Sequence, residues 1–93
     1  MNIDIIHEPS RVYVLGSSGS MVAEITFPQI SPGRVNFNHT YVSPSLRGKG
    51  VAHKMIRAAV NDVRAAGLKA VATCPFAVKW FGEHPEEGDV LAE

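Results

Sequence analysis

The sequence predicts an α+β fold, an α/β sandwich in which a mostly antiparallel sheet of about five strands packs against two helices. Three observations lead to this prediction. Four β-rich runs precede residue 43, an apolar stripe of helical spacing begins after Gly50, and a short uncharged run after Gly67 is followed by a second helical segment. The predicted order is β-β-β-β-α-β-α, and a chain of 93 residues suits one domain over residues 1–93.

The first three strands are predicted from short runs with β-forming residues. "NIDII" and "RVYVL" are separated by "HEPS", in which proline and serine indicate a turn. "MVAEITF" alternates apolar and more polar positions with the period of a half-buried strand. The intervening "GSSGS" predicts a hairpin loop, because glycine and serine accept the backbone conformations of a tight turn.

The fourth predicted strand is "RVNFNHTYV", which follows the break at "QISPG". Strict alternation would place Val35, Phe37, His39 and Tyr41 on one face of this strand.

The first helix is predicted from a stripe of apolar residues at i, i+3 and i+4 spacing, which consists of Ala52, Met55, Ile56, Ala59, Val60 and Val63. Gly67 is the natural C-terminal stop of this helix. "KAVATC" then fits a buried strand, and "PFAVKWFGEH" a second helix with proline at its first position and Gly82 at its end. The acidic tail "PEEGDVLAE" is expected at the surface.

Composition excludes several classes of function. The formal net charge is zero, so the field that draws a protein to nucleic acid or to an anionic membrane is missing. One cysteine excludes an internal disulfide, and four scattered histidines lack metal-ligand spacing, so no metal site is expected. "MNIDIIHEPS" has neither a basic flank nor the apolar core of a signal peptide, and we expect a cytoplasmic protein.

The junction "LRGKG" between the fourth strand and the first helix has the features of an anion site. A glycine turn that leads directly into a helix leaves backbone N–H groups converging at the positive end of the helix dipole. Gly48 and Gly50 permit close approach, and Arg47 and Lys49 supply positive charge. The spacing matches neither the Walker loop nor the dinucleotide fingerprint. A loop with solvated charges is the alternative interpretation.

"RGKGVA", Arg47 to Ala52, matches the R/Q-x-x-G-x-G/A signature, and in this the chain resembles the GNAT superfamily of N-acetyltransferases. "HTYVSPSLRGKGVA" and "TCPFAVKWFGEHPE" are similar to the small, single-domain members that lack the usual first two helices. The resemblance therefore implies a minimal GNAT fold that uses acetyl-CoA as co-substrate and transfers its acetyl group to an amine.

The resemblance also implies where CoA lies. Its pyrophosphate would rest on the amides from Gly48 to Ala52, and its pantetheine arm would run along Tyr41 and Val42, with the Val42 amide polarising the thioester carbonyl. The residues expected to bind the cofactor are thus Tyr41, Val42, Arg47, Gly48, Lys49, Gly50, Val51 and Ala52. His53 and Lys49 either contact the 3′-phosphate or face water.

Two residues are candidates for the chemistry. The glutamate and tyrosine that such enzymes often use are missing, since residues 35–42 contain no acid and the second helix begins with Phe76. Cys74 precedes that helix, whose dipole can lower a thiol pKa. His39 would lie near Cys74 if "NHTYV" and "AVATC" are adjacent strands, as in the superfamily. The alternatives are a small core cysteine and a hydrogen-bonded core histidine.

Three functions of different classes follow: an acetyl-CoA-dependent N-acyltransferase, which we favour, a non-catalytic module that binds CoA or acetyl-CoA, and a small interaction domain whose glycine loop is structural. The acceptor, an amine or a peptide, and the oligomeric state cannot be read from the sequence.

Overall fold

The computed structural model describes residues 3–92, in which seven strands and two α-helices are formed. They are β1 (Ile6–Glu8), β2 (Arg11–Leu15), β3 (Met21–Thr26), β4 (Gln29–Ser31), β5 (Arg34–Phe37), β6 (His39–Val42), α1 (Val51–Ala65), β7 (Lys69–Ala72) and α2 (Pro75–Glu83). Short 3₁₀ helices cover Pro44–Leu46 and Pro85–Val90. The predicted α+β fold is confirmed, and every strand except β7 precedes α1.

The strands form two groups by hydrogen bonding. One sheet has the antiparallel order β1-β2-β3-β6, and the other has the order β4-β5-β7, in which β5 and β7 are parallel. Two long runs are each divided in the middle, β3 from β4 at Phe27 and Pro28, and β5 from β6 at Asn38. These divisions raise the strand number above the five expected. The division at Pro28 follows from proline, which donates no backbone hydrogen bond.

The alternation of side chains reverses at Asn38. Val35 and Phe37 are 2% and 1% exposed, whereas His39 and Tyr41 are exposed and Thr40 is half-buried. The prediction that His39 shares a face with Val35 and Phe37 was therefore wrong. The physical reason is that Asn38 belongs to neither strand, so the inward-facing positions change from odd to even.

Helix α1 covers the inner face of the four-stranded sheet with five of the six residues of the predicted apolar stripe, and Val51 is buried in place of Ala52, which is half-buried. Its buried residues are Val51, Met55, Ile56, Ala59, Val60 and Val63. They join a core with inward-facing strand residues such as Val12, Ala23 and Ile25. Burying a side chain of this size stabilises the fold by about 1.5–3 kcal/mol, so this stripe explains why α1 packs where it does.

The C-terminal end of α1 is closed by the predicted glycine. Gly67 has a φ of 71°, the left-handed conformation that favours glycine. The Leu68 amide donates to the Val63 carbonyl at 3.0 Å, and the Gly67 amide to the Arg64 carbonyl at 3.1 Å. This pair of bonds is the Schellman motif, which satisfies carbonyl groups that the helix leaves unpaired.

The segment after α2 does not lie entirely at the surface, which corrects one expectation. Val90 is 2% exposed, and Leu91 forms a parallel bridge with Ala70. The Ala92 amide donates to the Ala70 carbonyl at 2.8 Å. Apolar residues at the end of an acidic segment thus anchor it to β7. None of the helices in residues 3–92 is long and apolar enough to cross a membrane.

Candidate active site

A wedge opens in the structure where β7 ends. Strand β7 pairs with β5 as far as Phe37, whose carbonyl accepts hydrogen bonds from the amides of both Thr73 and Cys74 at 3.1 Å. Beyond this point β6 continues beside β3, while the chain that leaves β7 turns into α2 at Pro75. The end of β6 and the first turn of α2 therefore diverge, and the glycine junction lies next to the gap.

The loop before α1 adopts the conformation that its glycines permit. Gly48 and Gly50 have φ angles of 78° and 73°, which other residues adopt only with strain. A Cβ atom at either position would meet nothing within 4 Å, so the space in front of both glycines is open. Gly50 is the N-cap of α1, and no side chain among residues 3–92 caps the helix. The first-turn amides have no partner within the helix, and they face this open end.

A cavity of about 290 Å³ lies at this junction. Its walls come from β6, the glycine loop, α1 and α2, and the residues are Val42, Leu46, Arg47, Gly48, Gly50, Val51, Ala52, His53 and Phe76. Six of the eight residues predicted to bind the cofactor are brought together here: Val42, Arg47, Gly48, Gly50, Val51 and Ala52. A helix N-terminus beside a cavity with an arginine is suited to an anion that carries an apolar arm.

The two remaining predicted residues lie outside the walls of this cavity. Lys49 is exposed on the loop, and Tyr41 is 38% exposed on the outer face of β6. Arg47 is tied to the end of β6, because its Nε donates to the Val42 carbonyl at 3.2 Å. This bond sets the direction in which the loop leaves the strand and keeps the guanidinium at the cavity.

Cys74 lies at the narrow end of the wedge, as the N-cap of α2 and 8% exposed. Its Sγ is 3.4 Å from the Thr40 hydroxyl. Burial alone would raise the pKa of the Cys74 thiol, but hydrogen bonds from the Thr40 hydroxyl and from the Ala77 and Phe76 amides outweigh burial, and the pKa falls below its ordinary value. The thiolate is thus favoured more than in an ordinary buried cysteine.

The residue beside Cys74 is Thr40 and not His39. Strand β7 pairs with β5, so "NHTYV" and "AVATC" are not adjacent strands over β6, and that expectation was wrong. Thr40 points toward Cys74, and successive side chains of a strand point to opposite faces. His39 is exposed on the outer face, opposite Thr26 in the neighbouring strand. The structure does not bring His39 and Cys74 together.

Sequence reasoning missed three residues of the site. Leu46 and Phe76 line the cavity, and Thr40 contacts Cys74. A signal was present for one of them, because Leu46 is the one apolar residue in the polar run "SPSLRGKG".

None of the residues that line the cavity carries a carboxylate. Residues 3–92 contain no group of three or more histidine, cysteine or acidic residues placed to hold a metal ion.

Comparison with known proteins identifies the family. The family model described as GCN5-related N-acetyl-transferase matches residues 11–90. The chain belongs to this family. The matched region contains the wedge, the glycine loop and both helices, so the family assignment covers the whole of the candidate site.

Individual relatives agree with the assignment. The solution structure of a GCN5-like protein from Staphylococcus aureus is 31% identical, with a TM-score of 0.80 over 98% of this chain and 89% of that chain. Protein NATD1 of Xenopus tropicalis is 32% identical over 63 residues, which are 68% of this chain and 58% of that protein. The match to NATD1 therefore spans less than two thirds of the length of that relative.

A more distant structure shares the fold alone. The Mycobacterium tuberculosis protein Rv2747, solved in complex with CoA, has a TM-score of 0.64 at 15% identity and covers 82% of this chain and 47% of that chain. The part of Rv2747 that shares the fold is thus a little under half of that chain.

Proposed function

We propose that this protein is an acetyl-CoA-dependent N-acyltransferase of the cytoplasm, which transfers an acetyl group to an amine. One observation carries the proposal: the uncapped N-terminus of α1, two positive-φ glycines and Arg47 all line one cavity. Phe76 in the wall of this cavity follows Cys74 by two residues. Membership of an N-acetyltransferase family and the CoA complex of a fold relative support it.

Each part of the site has a role in this proposal. The amides from Gly48 to Ala52 hold the pyrophosphate of CoA, and Arg47 adds a positive charge, since backbone N–H groups and a guanidinium are strong phosphate donors. The pantetheine arm follows Tyr41 and Val42 along β6 into the wedge. The apolar ring of Phe76 forms the opposite wall of the cavity.

Cys74 is the proposed nucleophile or acid at the end of this path. As a nucleophile, the Cys74 thiolate forms a bond to the acetyl carbon while the bond to the CoA sulfur breaks and CoA leaves as a thiol after gaining a proton. A neutral amine then attacks the acetyl group, loses a proton and regenerates the thiolate. In direct transfer the amine attacks acetyl-CoA itself, and the Cys74 thiol supplies a proton to the departing CoA sulfur. His39 lies on the other face of β6, so neither route gives it a step.

Ligand-dependent thermal unfolding tests the proposal. At about 100 times the dissociation constant, a ligand that binds only the folded state adds ~2.7 kcal/mol. For a domain of this size we expect acetyl-CoA to raise Tm by on the order of 10–20 °C, while ATP and NAD leave it unchanged. If none of the three moves the transition, the glycine loop is structural and the acyltransferase proposal fails.

A non-catalytic CoA-binding module is the second candidate. The cavity wall offers no carboxylate as a base, and Phe76 has no hydroxyl, which are the observations that favour it. Incubation with labelled acetyl-CoA and a panel of amines, polyamines and peptides separates the two. The enzyme acetylates at least one acceptor, whereas the module binds acetyl-CoA and transfers nothing.

A further inference from the structure

Three rings lie together between α1 and α2, at the edge of the cavity. Trp80 stacks on His84 with ring centroids 4.3 Å apart and an interplanar angle of 20°, and the His53 ring lies 5.2 Å from His84 and 6.0 Å from Trp80. Trp80 is 3% exposed, whereas His53 is exposed and lines the cavity. The cluster thus joins the buried helix interface to the proposed ligand site.

The hydrogen bond within this cluster fixes the tautomer of His53. The indole Nε1–H of Trp80 donates to His53 Nδ1 at 2.9 Å. An indole nitrogen can only donate, so His53 Nδ1 accepts and carries no proton in this arrangement. The ring proton is then on Nε2. The two ring nitrogens point in different directions, so Nε2–H is directed away from Trp80, and His53 as a residue is exposed.

The Trp80 ring is itself held in place from several sides. His84 stacks on it, and the His84 Nδ1–H donates to the Trp80 carbonyl at 2.8 Å. The Arg57 guanidinium lies 5.7 Å from the ring centre and is bound to Glu87 at 3.1 Å. A buried indole with these neighbours has little freedom to turn, and it holds its hydrogen-bond partner in one orientation.

We propose that Trp80 is a positioning residue that directs the Nε2–H of His53 to a phosphate oxygen of the ligand in the cavity. The inference rests on the proposed function, since it needs a phosphate-containing ligand at the N-terminus of α1. His53 is the third residue of that helix and one of the cavity walls. A fixed side-chain donor there supplements the backbone amides, because hydrogen bonds to a charged acceptor are the stronger ones.

Two substitutions separate the role of His53 as the phosphate donor from the role of Trp80 as the residue that orients it. In His53→Asn, the amide oxygen replaces Nδ1 and still accepts from Trp80, but no donor reaches the position of Nε2. In Trp80→Phe, the ring volume is largely kept and the N–H is lost. Calorimetric titration with acetyl-CoA should show about a 10-fold rise in Kd for His53→Asn, the effect of one charge-assisted bond, and a smaller rise, about 3-fold, for Trp80→Phe. His7→Asn is the matched control and should bind as the wild type does, because His7 lies in β1 beside Asp62, near the other end of α1.

The double variant tests whether the two residues act together. Since Trp80 acts through His53, Trp80→Phe should cost nothing further in a His53→Asn background. Dephospho-CoA identifies the phosphate: the penalty of His53→Asn disappears with this ligand if the bond goes to the 3′-phosphate, and it persists if the bond goes to the pyrophosphate. Thermal unfolding of each variant confirms that it is folded.

NMR of the imidazole nitrogens measures the tautomer of His53 in the absence of any ligand. Wild-type His53 should show a protonated Nε2 and an unprotonated Nδ1, and Trp80→Phe should shift both signals toward an average of the two tautomers. Unchanged His53 signals in Trp80→Phe would overturn the positioning role, and unchanged acetyl-CoA affinity in His53→Asn would overturn the phosphate contact. If the wild-type protein binds no acetyl-CoA at all, it is the proposed function that fails.

Discussion

The two ends of helix α1 are built differently. At the closed end, residues 62–67, Gly67 completes a Schellman motif, and Arg64 is bound to Glu87 and Asp89 at 2.9 and 2.7 Å. At the open end, residues 48–53, no side chain among residues 3–92 caps the helix, although the space in front of the glycines is open at both ends.

The contrast separates a helix end that the protein itself completes from the end to which we assign a function. Both ends use glycine with nearly the same φ, 73° at Gly50 and 71° at Gly67. Within residues 3–92, the closed end alone has protein groups that bond the polar atoms a helix leaves unpaired. Under the proposed function, the first-turn amides of the open end bind the phosphate groups of CoA.

The largest expected effect concerns the thiol beside the open end. Cys74→Ala should abolish acetyl transfer, with turnover falling by roughly 1000-fold or more, because the proposed function gives the Cys74 sulfur a direct part in the transfer. Acetyl-CoA affinity should change less than about 3-fold, since Cys74 is not among the cavity walls. Full turnover in this variant would exclude catalysis by cysteine, and Arg64→Ala at the closed end serves as the active control.

The second largest effect is expected when the glycines at the two ends of α1, Gly50 and Gly67, are each replaced by alanine. Gly50→Ala and Gly67→Ala carry the same backbone penalty, about 1–2 kcal/mol for a left-handed residue, so both should lower Tm similarly. Only Gly50→Ala should weaken acetyl-CoA binding, by roughly 10-fold or more, because the new methyl group occupies the space that a phosphate approaches. Equal affinities of the two variants, measured by calorimetry, would contradict the distinction between the ends.

A smaller effect is expected on the ionisation of Cys74. Thr40→Val removes the hydroxyl that helps to lower the pKa of the Cys74 thiol, so the pKa should rise. The rate of alkylation by iodoacetamide against pH measures this, since the thiolate is the reactive form. In the wild type the midpoint should lie below that of an ordinary thiol, and in Thr40→Val it should move to higher pH. The midpoint of the pH profile is compared rather than the rate, because the burial of Cys74 slows alkylation in both proteins.

The smallest effect belongs to the closed end. Arg64→Ala removes the ion pairs with Glu87 and Asp89 at the surface, and Tm should fall by only a few degrees, less in high salt. The Arg64 guanidinium lowers the pKa of the Asp89 carboxyl. The stabilisation from this carboxylate is therefore present above its ordinary pKa and is lost as the pH falls through the lowered value. Wild type and variant should converge in Tm at acid pH, and a difference that persists there would contradict the ionic origin.

Local patterns predicted much of this structure. The stripe from Ala52 to Val63 predicted α1, and Gly67 predicted its end, because side-chain period and backbone freedom depend on near neighbours in the chain. The anion site at the glycine junction stays a prediction, but the residues predicted to form it lie together because its amides, its two glycines and its arginine are consecutive in the chain. The structure assembles these residues in one cavity with no rearrangement of their order.

Other features depend on contacts between distant segments. The reversal of faces at Asn38 moved His39 outward and Thr40 toward Cys74, and alternation alone could not predict it, because a bulge is set by pairing with β3 and β7. The bond from Trp80 to His53 joins residues 27 positions apart on different helices. Burial of Val90 required β7 as a partner for the end of the chain.

The sequence by itself determined both α-helices, the position of most strands, the glycine loop and the family, since each depends on residue types and short spacings. Only the tertiary structure decided which side chains meet across the wedge, because a one-residue change in strand register moves every side chain to the opposite face. The acid–base surroundings of Cys74 and the orientation of His53 were settled in this way, by neighbours that are remote in the chain and close in space.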